Sequence, residues 1–410
     1  MTAEGGAVDL RSIEEARERI RDAVHVTPCA YSQTLSELSG ARVFVKLENL
    51  QMTGSFKERG AANLLMQLTP RERARGVIAA SAGNHGLAVA FHAARLGIAA
   101  TIVMPEAAPL IKVTSARRYG ADVIQHGANF DEAYTHARAL RDRRGHVFVH
   151  PFDDPRVIAG QGTLGLELLA QMPDMEALLV PVGGGGLIGG VALAVKSWRS
   201  AVRIVGVESA ALPAMRRALD EGHRLQVAAA PTIADGIAVR EVGELSLALT
   251  RAWVDDVVTV GEEELANAIL LLLEIEKTVV EGAGAAPLAA LLNRSLGLQG
   301  RTVVLVLSGG NIDVTMLSRI IERGLVKDGR LVRLGILLRD RPGALAGLTS
   351  LIAEERANIL HILHDRAFSP RAAIGETVVE LTLETSGRTQ IDALTQRLEA
   401  AGYPVEERGA

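Results

Sequence analysis

Short apolar strands alternate with helices along most of this 410-residue chain, and this alternation restricts the possible folds more than any other feature. Three successive units each place a strand before a helix: Val77 to Ala80 with Gly86 to Leu96, Ala99 to Met104 with Leu110 to Tyr119, and Val123 to Gln125 with Phe130 to Arg141. The rhythm resumes at Leu178 to Val182, Gly186 to Ser197, Arg203 to Val207 and Thr302 to Leu307. Because strands joined through helices run parallel, we expect an α/β protein with two open parallel sheets.

The pattern changes after the charged, glycine-containing run from Glu322 to Arg330, which has no apolar periodicity. We place a domain boundary there, dividing the chain into residues 1–328 and 329–410. Beyond it the predicted order is strand (Leu331 to Leu338), helix (Gly343 to Glu355), strand (Ile359 to His364), strand (Thr377 to Leu383), helix (Ile391 to Ala401) and a short edge strand (Pro404 to Glu406). This βαββαβ order is typical of a ferredoxin-like module.

Charge and composition argue against several classes of protein. The formal net charge is −4 with both signs interspersed, so the chain offers no basic stripe for nucleic acid. The single Cys29 excludes an internal disulfide, and the N-terminus lacks the features of a signal peptide, so we expect a cytoplasmic protein. Ala177 to Val195 carries no charge and approaches the roughly 20 residues of a membrane span, but Pro181 and the glycines after it favour strand, turn and buried helix.

Lys57 lies where a glycine-containing loop meets a predicted helix start, in the run Gly54-Ser55-Phe56-Lys57-Glu58-Arg59-Gly60-Ala61. Ser55 is the predicted N-cap of that helix. The positive end of a helix dipole and an apolar surround both disfavour an ammonium group. An uncharged amine is what Schiff-base formation with an aldehyde cofactor requires. The alternative is a solvated charge, the commoner role of a lysine at a helix start.

A second candidate is the loop Ser81-Ala82-Gly83-Asn84-His85, which follows one predicted strand and precedes an apolar helix. Backbone N–H groups at a helix N-terminus suit a carboxylate or a phosphate, so we take these five residues as candidates for binding substrate. The Asn84 amide is also placed to donate to a cofactor oxygen. A tight turn with a capping asparagine is the alternative interpretation.

Four consecutive glycines, Gly183 to Gly186, stand between a predicted strand and a predicted helix. Without Cβ atoms, several N–H groups can converge on one anion ahead of the helix dipole, and phosphate suits such a loop. The stretch also matches G-x-G-x-x-G through Gly184, Gly186 and Gly189, with Glu208 near the position of a ribose-binding acid. On this stretch alone a dinucleotide site is favoured.

Ser308 opens the turn Ser308-Gly309-Gly310-Asn311 directly after the apolar strand Thr302 to Leu307. Ligands of open α/β sheets bind at the ends of strands, so Ser308 is placed to reach one. Its alternative role is that of a helix cap.

Taken together and in this order, the four elements resemble the fold-type II pyridoxal-phosphate enzymes, most closely their threonine dehydratase branch. The similarity extends over nearly the whole chain and includes Thr27-Pro28, Lys46 to Gln51, the Lys57 run, the Asn84 loop, Gly160 to Thr163, the four glycines, Glu281 to Gly284 and the Ser308 turn. It implies two tryptophan synthase β-like subdomains, the smaller spanning roughly residues 46–150 and inserted in the larger. The tail from Leu331 resembles an ACT domain, including the run Arg339 to Leu345 between its first strand and first helix.

The resemblance implies pyridoxal 5′-phosphate as cofactor and assigns roles to particular residues. Lys57 would hold the cofactor and act as the catalytic base, Asn84 would bond its ring hydroxyl, and Ser308 would face its pyridine nitrogen. The residues expected to bind the cofactor are Phe56, Lys57, Asn84, Gly183, Gly184, Gly185, Gly186, Leu187, Glu281 and Ser308. The glycines and Leu187 would cradle the phosphate, and Glu281 would lie near the ring.

The implied reaction is the elimination of water and ammonia from L-threonine, and from L-serine, giving 2-oxobutanoate or pyruvate. A hydroxyl at Ser308 imposes no proton on the pyridine nitrogen, which favours elimination over transamination. ACT domains bind amino acids at surfaces between subunits, so isoleucine or valine is the expected effector and a homodimer or homotetramer the expected assembly. The chemistry does not distinguish isoleucine synthesis from threonine breakdown.

Three alternatives stay open. Serine racemases share the framework but generally carry a serine where this chain has Ala82, and their metal site is incomplete here because Ala214 stands where an acid is expected beside Glu208. No metal is therefore expected. Cysteine synthases and tryptophan synthase β chains usually show threonine near the start of the asparagine loop and lack the tail. From a different class, a dinucleotide sensor with an amino-acid-binding tail would use the glycine fingerprint with Glu208.

Overall fold

A computed structural model of the chain describes residues 8–108, 110–365 and 373–408. The chain divides into two compact units, Met1–Ile312 and Asp313–Ala410. The helix Val314–Lys327 groups with the second unit, where it packs against the strand Leu331–Arg339. The structural division therefore falls earlier in the chain than the sequence-based boundary between residues 328 and 329.

The larger sheet of the first unit contains β1 (Cys29–Tyr31), β2 (Arg42–Leu47), β7 (Ala177–Pro181), β8 (Arg203–Ser209), β9 (Asp256–Val260) and β10 (Thr302–Leu307). Their order across the sheet is β1-β2-β10-β7-β8-β9, and each neighbouring pair is parallel except β1 with β2. Every residue of β7 and β10 is buried, as expected for parallel strands covered by helices on both faces.

The smaller sheet of the first unit contains β3 (Val77–Ala80), β4 (Ala100–Met104), β5 (Asp122–Gln125) and β6 (Val147–Phe148). Its order is β5-β4-β3-β6 and all of its pairs are parallel. The three strand–helix units predicted from the sequence supply β3, β4 and β5 with the helices that follow them. The prediction of two open parallel sheets is confirmed.

The helices of the first unit are α1 (Leu10–Ile20), α2 (Gln33–Ser39), α3 (Lys57–Met66), α4 (Pro70–Arg75), α5 (Asn84–Arg95), α6 (Leu110–Arg118), α7 (Phe130–Arg144), α8 (Pro155–Gln171), α9 (Gly186–Trp198), α10 (Ala214–Glu221), α11 (Glu244–Trp253), α12 (Glu262–Ile275) and α13 (Gly282–Asn293). Helix α8 packs on both α3 and α9, and α3 also contacts α5. The uncharged stretch Ala177 to Val195 is β7, a glycine turn and most of α9. Among the described residues, none of the helices is long and apolar enough to cross a membrane.

The second unit contains α14 (Val314–Lys327), β11 (Leu331–Arg339), α15 (Ala344–Glu354), β12 (Asn358–Asp365), β13 (Glu376–Glu384), α16 (Arg388–Ala400) and β14 (Val405–Glu407). The strands form an antiparallel sheet in the order β12-β13-β11-β14. Alternate residues of β11 and β13, among them Ile336 and Leu381, form a core with Leu348 of α15 and Leu394 of α16. From β11 onward the predicted βαββαβ order is confirmed.

Candidate active site

The Lys57 loop and the Ser308 turn lie side by side. Strands β2 and β10 are parallel neighbours, so the segments that follow them leave the sheet at the same edge. The Phe56 N–H donates to the Ser308 carbonyl at 3.0 Å, and the Gly310 N–H donates to the Gly54 carbonyl at 2.9 Å. Two motifs separated by most of the first unit's sequence are thereby joined through their backbones.

Neither of the two serines that the sequence offered as helix caps has that role. Phe56, not Ser55, precedes α3, while Ser55 forms a β-bridge with Gly309 and its buried hydroxyl has no hydrogen-bond partner in the described part of the chain. The N-cap at Ser55 is therefore a wrong prediction. Ser308 is buried directly after β10, and the next helix, α14, is capped by Asp313. The strand-end position of Ser308 is the one expected of a ligand-facing residue.

The surroundings of the Lys57 amine disfavour its charged, protonated form. Its Nζ donates to the carbonyl of Pro151 at 2.8 Å and lies 5.2 Å from the ring centroid of Phe56. Burial lowers the pKa of Lys57 to about 8, against a smaller opposing effect of the Glu281 carboxylate. The amine is also at the first residue of α3, where the helix dipole disfavours a cation. An uncharged, nucleophilic lysine is therefore accessible near neutral pH.

Asn84 connects the smaller sheet's loop to the Ser308 turn. Its Nδ2 donates to Glu281 Oε1 at 2.7 Å, and its Oδ1 accepts from Asn311 Nδ2 at 2.8 Å. A Cβ at Gly309 would lie 3.0 Å from Asn84 Nδ2, so glycine at this position lets the amide approach closely. The N-cap of α5 is Gly83 and no side chain caps this helix, which makes the capping-asparagine interpretation wrong. One N–H of the Asn84 amide is still available for a ligand, since each amide carries two.

Glu281 is a buried carboxyl group with an altered affinity for protons. Burial and the neighbouring Asp235 carboxylate raise the pKa of Glu281 to about 7, while the Asn84 hydrogen bond and the Lys112 and Lys57 cations oppose the shift. Near neutral pH this group therefore exchanges a proton within the same small volume as the Lys57 amine.

The remaining residues of the Asn84 loop are held by local contacts. The Ser81 hydroxyl accepts the Gly83 N–H at 3.2 Å, and His85 Nε2 lies 2.8 Å from the Val149 carbonyl. Burial, reinforced by the Lys57 charge, lowers the pKa of His85 to about 3, so its ring is neutral. Ala82 packs at the edge of the core around the smaller sheet. The loop thus presents its backbone and the Asn84 amide as its main polar groups.

The glycine loop leads directly into α9. Gly185 has a φ of 95°, a left-handed conformation that favours glycine. A Cβ on Gly184 would overlap the Phe152 ring, and one on Gly186 would come within 3.1 Å of the Phe152 backbone. In the described part of the chain, the N–H groups of residues 183–187 donate no hydrogen bond to another residue. Free amides at the start of a 13-residue helix suit an anion.

Glu208, the acid of the rival dinucleotide interpretation, is already engaged. It is buried, and its carboxylate oxygens accept the N–H groups of Met215 and Arg216 at 2.7 and 2.8 Å. Burial raises the pKa of Glu208 to about 7. The residue therefore serves the first turn of α10 rather than a ribose, and Ala214 supplies no second acid beside it.

Sequence reasoning missed the segment that follows β6. Pro151 accepts the Lys57 hydrogen bond, and Phe152 packs against the glycine loop. Asp153 accepts N–H groups of Glu244 and Ser246 at 2.9 and 3.0 Å, fixing the segment to α11. The signal that could have found it is topological, because β6 and β3 are parallel and their carboxyl ends share one edge.

A second missed feature is an ion pair between Lys112 of α6 and Asp235, with Nζ and Oδ2 2.7 Å apart. Asp235 begins a short 3-10 helix, Asp235–Ile237, and a Cβ on its Gly236 would come within 3.0 Å of Glu281 Oε1. The pair therefore joins the smaller sheet's helix layer to the loop beside Glu281. No sequence motif marks it, since the partners are far apart in the chain.

Comparison with known proteins gives consistent results. Residues 20–309 match the family model described as pyridoxal-phosphate dependent enzyme, and residues 332–402 match the ACT domain model. The chain is 50% identical to the L-threonine ammonia-lyase of Thermotoga maritima over 97% of its length and 99% of the relative. It is 51% identical to that of Geobacter sulfurreducens over 96% and 98% of the two chains.

Among solved structures, maize serine racemase superposes with a TM-score of 0.74 at 35% sequence identity. The superposition covers 78% of this chain and 99% of the racemase. The first family model lies within the first compact unit and the second model within the second unit. The chain therefore belongs to the family of pyridoxal-phosphate dependent enzymes and carries an ACT domain after its catalytic unit.

Proposed function

We propose that this chain is an ammonia-lyase that converts L-threonine to 2-oxobutanoate and ammonia, and that it converts L-serine to pyruvate and ammonia in the same way. Water is eliminated from the substrate first, and a water molecule is consumed again when the resulting enamine hydrolyses to the 2-oxo acid and ammonia. Relatives that carry the name L-threonine ammonia-lyase match it over nearly the whole of both chains. The observation that carries the proposal is the Lys57 amine, whose pKa is lowered to about 8 by burial. One methyl group separates the two substrates, and a hydrophobic contact of that size discriminates by only about 10–200-fold.

The residues present fit pyridoxal phosphate. Lys57 offers an amine for its aldehyde, and the free N–H groups of residues 183–187 offer donors for its phosphate. The remaining N–H of Asn84 suits the ring hydroxyl, and Ser308 at the end of β10 suits the pyridine nitrogen. When bound, the cofactor supplies an electron sink for negative charge at the substrate Cα.

The chain's own groups then carry the proton transfers. The neutral Lys57 amine would take the proton from the substrate Cα as general base, a role that a pKa near 8 suits at neutral pH. Glu281, hydrogen-bonded to Asn84, holds or releases a proton close to the same amine. The Ser308 hydroxyl does not force a proton onto the ring nitrogen, which favours prompt loss of the β-hydroxyl.

Racemisation of serine is the second candidate, because a serine racemase is among the structural relatives. Racemisation needs a proton donor on the second face of Cα, and the methyl group of Ala82 cannot donate one. We therefore expect pyruvate to form from L-serine far faster than D-serine, as a chiral amino-acid assay would measure.

The direct test is the variant Lys57→Ala, assayed for 2-oxobutanoate formation from threonine. Activity should fall by about 10³-fold or more, because the base and the covalent link are both lost. Lys196→Ala is the matched control, since Lys196 forms a partly buried ion pair with Asp255 near the end of α9. Full activity in Lys57→Ala would remove this lysine from the mechanism.

The second unit supports amino-acid regulation. A cavity of about 350 Å³ opens between the end of β11 and the start of α15. It is lined by Leu338, Arg339, Asp340, Arg341, Pro342, Gly343, Ala344, Leu345, His364 and Thr377. Charges of both signs suit the carboxylate and ammonium groups of a free amino acid, and the leucines suit an aliphatic side chain. We propose isoleucine or valine as the effector.

Assembly, cellular location and pathway are also proposals. We propose a cytoplasmic homodimer or homotetramer, an assembly that light scattering would measure. Burial raises the pKa of the Cys29 thiol to about 11, which fits an unreactive cysteine in a reducing compartment. Inhibition by isoleucine would support a role in isoleucine biosynthesis.

A further inference from the structure

Arg59, two residues after Lys57, is fully buried and held by two carboxylates at once. Its Nε and Nη2 donate to the two oxygens of Glu48, both at 2.8 Å. Its Nη1 and Nη2 donate to the two oxygens of Glu167 at 2.7 and 2.9 Å. Arg59 and Glu48 are each 0% exposed. Such paired geometry fixes a guanidinium in both position and rotation.

Lys46 completes the group and balances its charge. Its Nζ donates to Glu167 Oε2 at 2.8 Å and to the Thr27 carbonyl at 2.6 Å. Burial opposes the charged form of Glu48, but Arg59 outweighs it and keeps the pKa of Glu48 below its usual range. Two basic and two acidic side chains are therefore paired with one another in the interior. Desolvation makes buried ion pairs poor sources of stability, so net stabilisation alone does not account for them.

The helices around this group meet through glycines. A Cβ on Gly60 of α3 would lie 2.8 Å from Val157 of α8, and one on Gly160 of α8 would lie 2.5 Å from the Arg59 carbonyl. On the other side of α8, a Cβ on Gly190 of α9 would lie 2.8 Å from the Gly162 nitrogen. The absence of a Cβ at these positions lets the helix backbones approach closely, so α3 and α9 are both in direct backbone contact with α8.

These contacts connect the helix that bears Lys57 to the helix that follows the glycine loop. Lys57 is the first residue of α3, the glycine loop opens α9, and α8 lies against both helices. The Arg59–Glu167 contact ties α3 to α8, and the Arg59–Glu48 contact ties α3 to the segment that follows β2. Any displacement of α3 along α8 would change the distance from the Lys57 amine to the amides that suit a phosphate.

We propose that Arg59, clamped by Glu48 and Glu167, is a positioning residue that sets the spacing between the Lys57 amine and the glycine loop. The proposal rests on the proposed function, because it takes these two groups as the anchors of one cofactor. Two anchors on one ligand reinforce each other only when their spacing matches the ligand. Loss of the contacts of Arg59 with Glu48 and Glu167 should therefore reduce the gain in affinity that the phosphate gives to an aldehyde bound at Lys57.

The test compares pyridoxal 5′-phosphate with pyridoxal, which lacks the phosphate. Apoprotein is titrated with each aldehyde, reduced with borohydride, and the adduct on the Lys57 peptide is quantified by mass spectrometry. The ratio of the two half-saturation concentrations is the phosphate preference. A change in the reactivity of the amine alters both titrations alike, so the ratio reports the spacing.

The variant Arg59→Lys keeps the positive charge but loses the paired hydrogen bonds to both carboxylates. We expect its phosphate preference to fall by about tenfold or more. Glu167→Gln should lower it in the same direction and by less, and it carries the test if Arg59→Lys does not fold, because Glu167 is 11% exposed. Arg294→Lys is the matched control. Arg294 donates hydrogen bonds to both carboxylate oxygens of Glu264 at the C-terminal end of α13. The phosphate preference of the Arg294→Lys variant should therefore match that of the native protein.

The outcomes separate the two hypotheses. An unchanged preference in Arg59→Lys or in a folded Glu167→Gln, even with a lower melting temperature, would show a purely structural role and overturn the positioning proposal alone. Failure of the unmodified protein to form any Lys57 adduct would overturn the proposed function, and the positioning proposal with it.

Discussion

At the scale of single residues, the candidate site depends on opposing effects at Lys57 and Glu281. Burial pushes the pKa of the lysine down to about 8 and that of the carboxyl up to about 7. Each group partly reverses the shift of the other, because the ammonium and the carboxylate attract. The proton affinity of the Lys57 amine is therefore set partly by a residue more than two hundred positions away in the chain.

This coupling predicts the effect of Glu281→Gln on the apoprotein. Glutamine keeps an oxygen that accepts from Asn84 but removes the charge that raises the pKa of Lys57. The midpoint of Lys57 modification by an amine reagent should lie near pH 8 in the native protein and at lower pH in the variant. Asp174→Asn, which removes an exposed charge paired with Arg42, should leave the midpoint in place. A midpoint that stays or rises in Glu281→Gln would contradict the coupling.

Several residue-level predictions depended on partners that local sequence does not reveal. Lys57, Asn84 and Ser308 can be singled out as candidates from the sequence, because Lys57 stands where a glycine-containing loop meets a helix and the other two stand in turns that follow apolar strands. Ser55 was misassigned as a cap because its β-bridge partner, Gly309, lies at the other end of the first unit. The role of Glu208 was left open because only the fold shows its carboxylate on the amides of α10.

At the scale of secondary-structure elements, close glycine contacts connect the helices that bear the site. Helix α8 meets α3 through Gly160 and Gly60 and meets α9 through Gly162 and Gly190. The sequence shows these glycines within or beside apolar runs but does not show which helices they bring together. Their role could be assigned only after the topology was known.

The variant Gly160→Ala tests this packing. Its Cβ would lie 2.5 Å from the Arg59 carbonyl and 2.7 Å from the Gly60 Cα, and neither backbone atom can yield without moving a helix. We expect a loss of about 1–3 kcal/mol or more in unfolding free energy, measured by denaturant titration. Gly261→Ala, whose Cβ would meet nothing closer than 3.7 Å, should cost no more than about 1 kcal/mol. Equal effects of the two substitutions would argue against the close contact.

Most strands and helices could be predicted because their apolar runs are bounded by glycine, proline or charged turns. The predicted strand Thr302 to Leu307 is β10 with the same limits. The segment from Val149 to Asp153 was missed because it has no regular periodicity, and its importance comes from the edge of the sheet it reaches. The buried cluster around Arg59 was missed for a related reason, since its charges resemble a surface helix in sequence.

At the scale of the whole molecule, the catalytic unit with its mostly parallel sheets and the second unit with its antiparallel sheet are separate compact units. The superposition on maize serine racemase covers 99% of the racemase but only 78% of this chain. The framework of the catalytic unit therefore occurs in a relative without a matching counterpart of the remainder. A regulatory role of the second unit is therefore a proposal that needs its own test.

Regulation can be tested on the full chain. Isoleucine or valine should shift the half-saturating threonine concentration by about fivefold or more, the usual range of allosteric coupling. Arg341→Ala, which removes a charge lining the cavity of the second unit, should abolish the shift without changing the uninhibited rate. Arg333→Ala, at an exposed position on β11, is the control and should respond like the native protein. A full effector response in Arg341→Ala would place the effector elsewhere.

The central claim is that one buried amine, at position 57, is the covalent anchor of an aldehyde cofactor. Borohydride reduction of the purified protein followed by peptide mass spectrometry tests it directly. We expect a phosphopyridoxyl adduct on the peptide that contains Lys57 and on no other lysine. An unmodified Lys57 peptide, or an adduct on a different lysine, would contradict the lyase proposal.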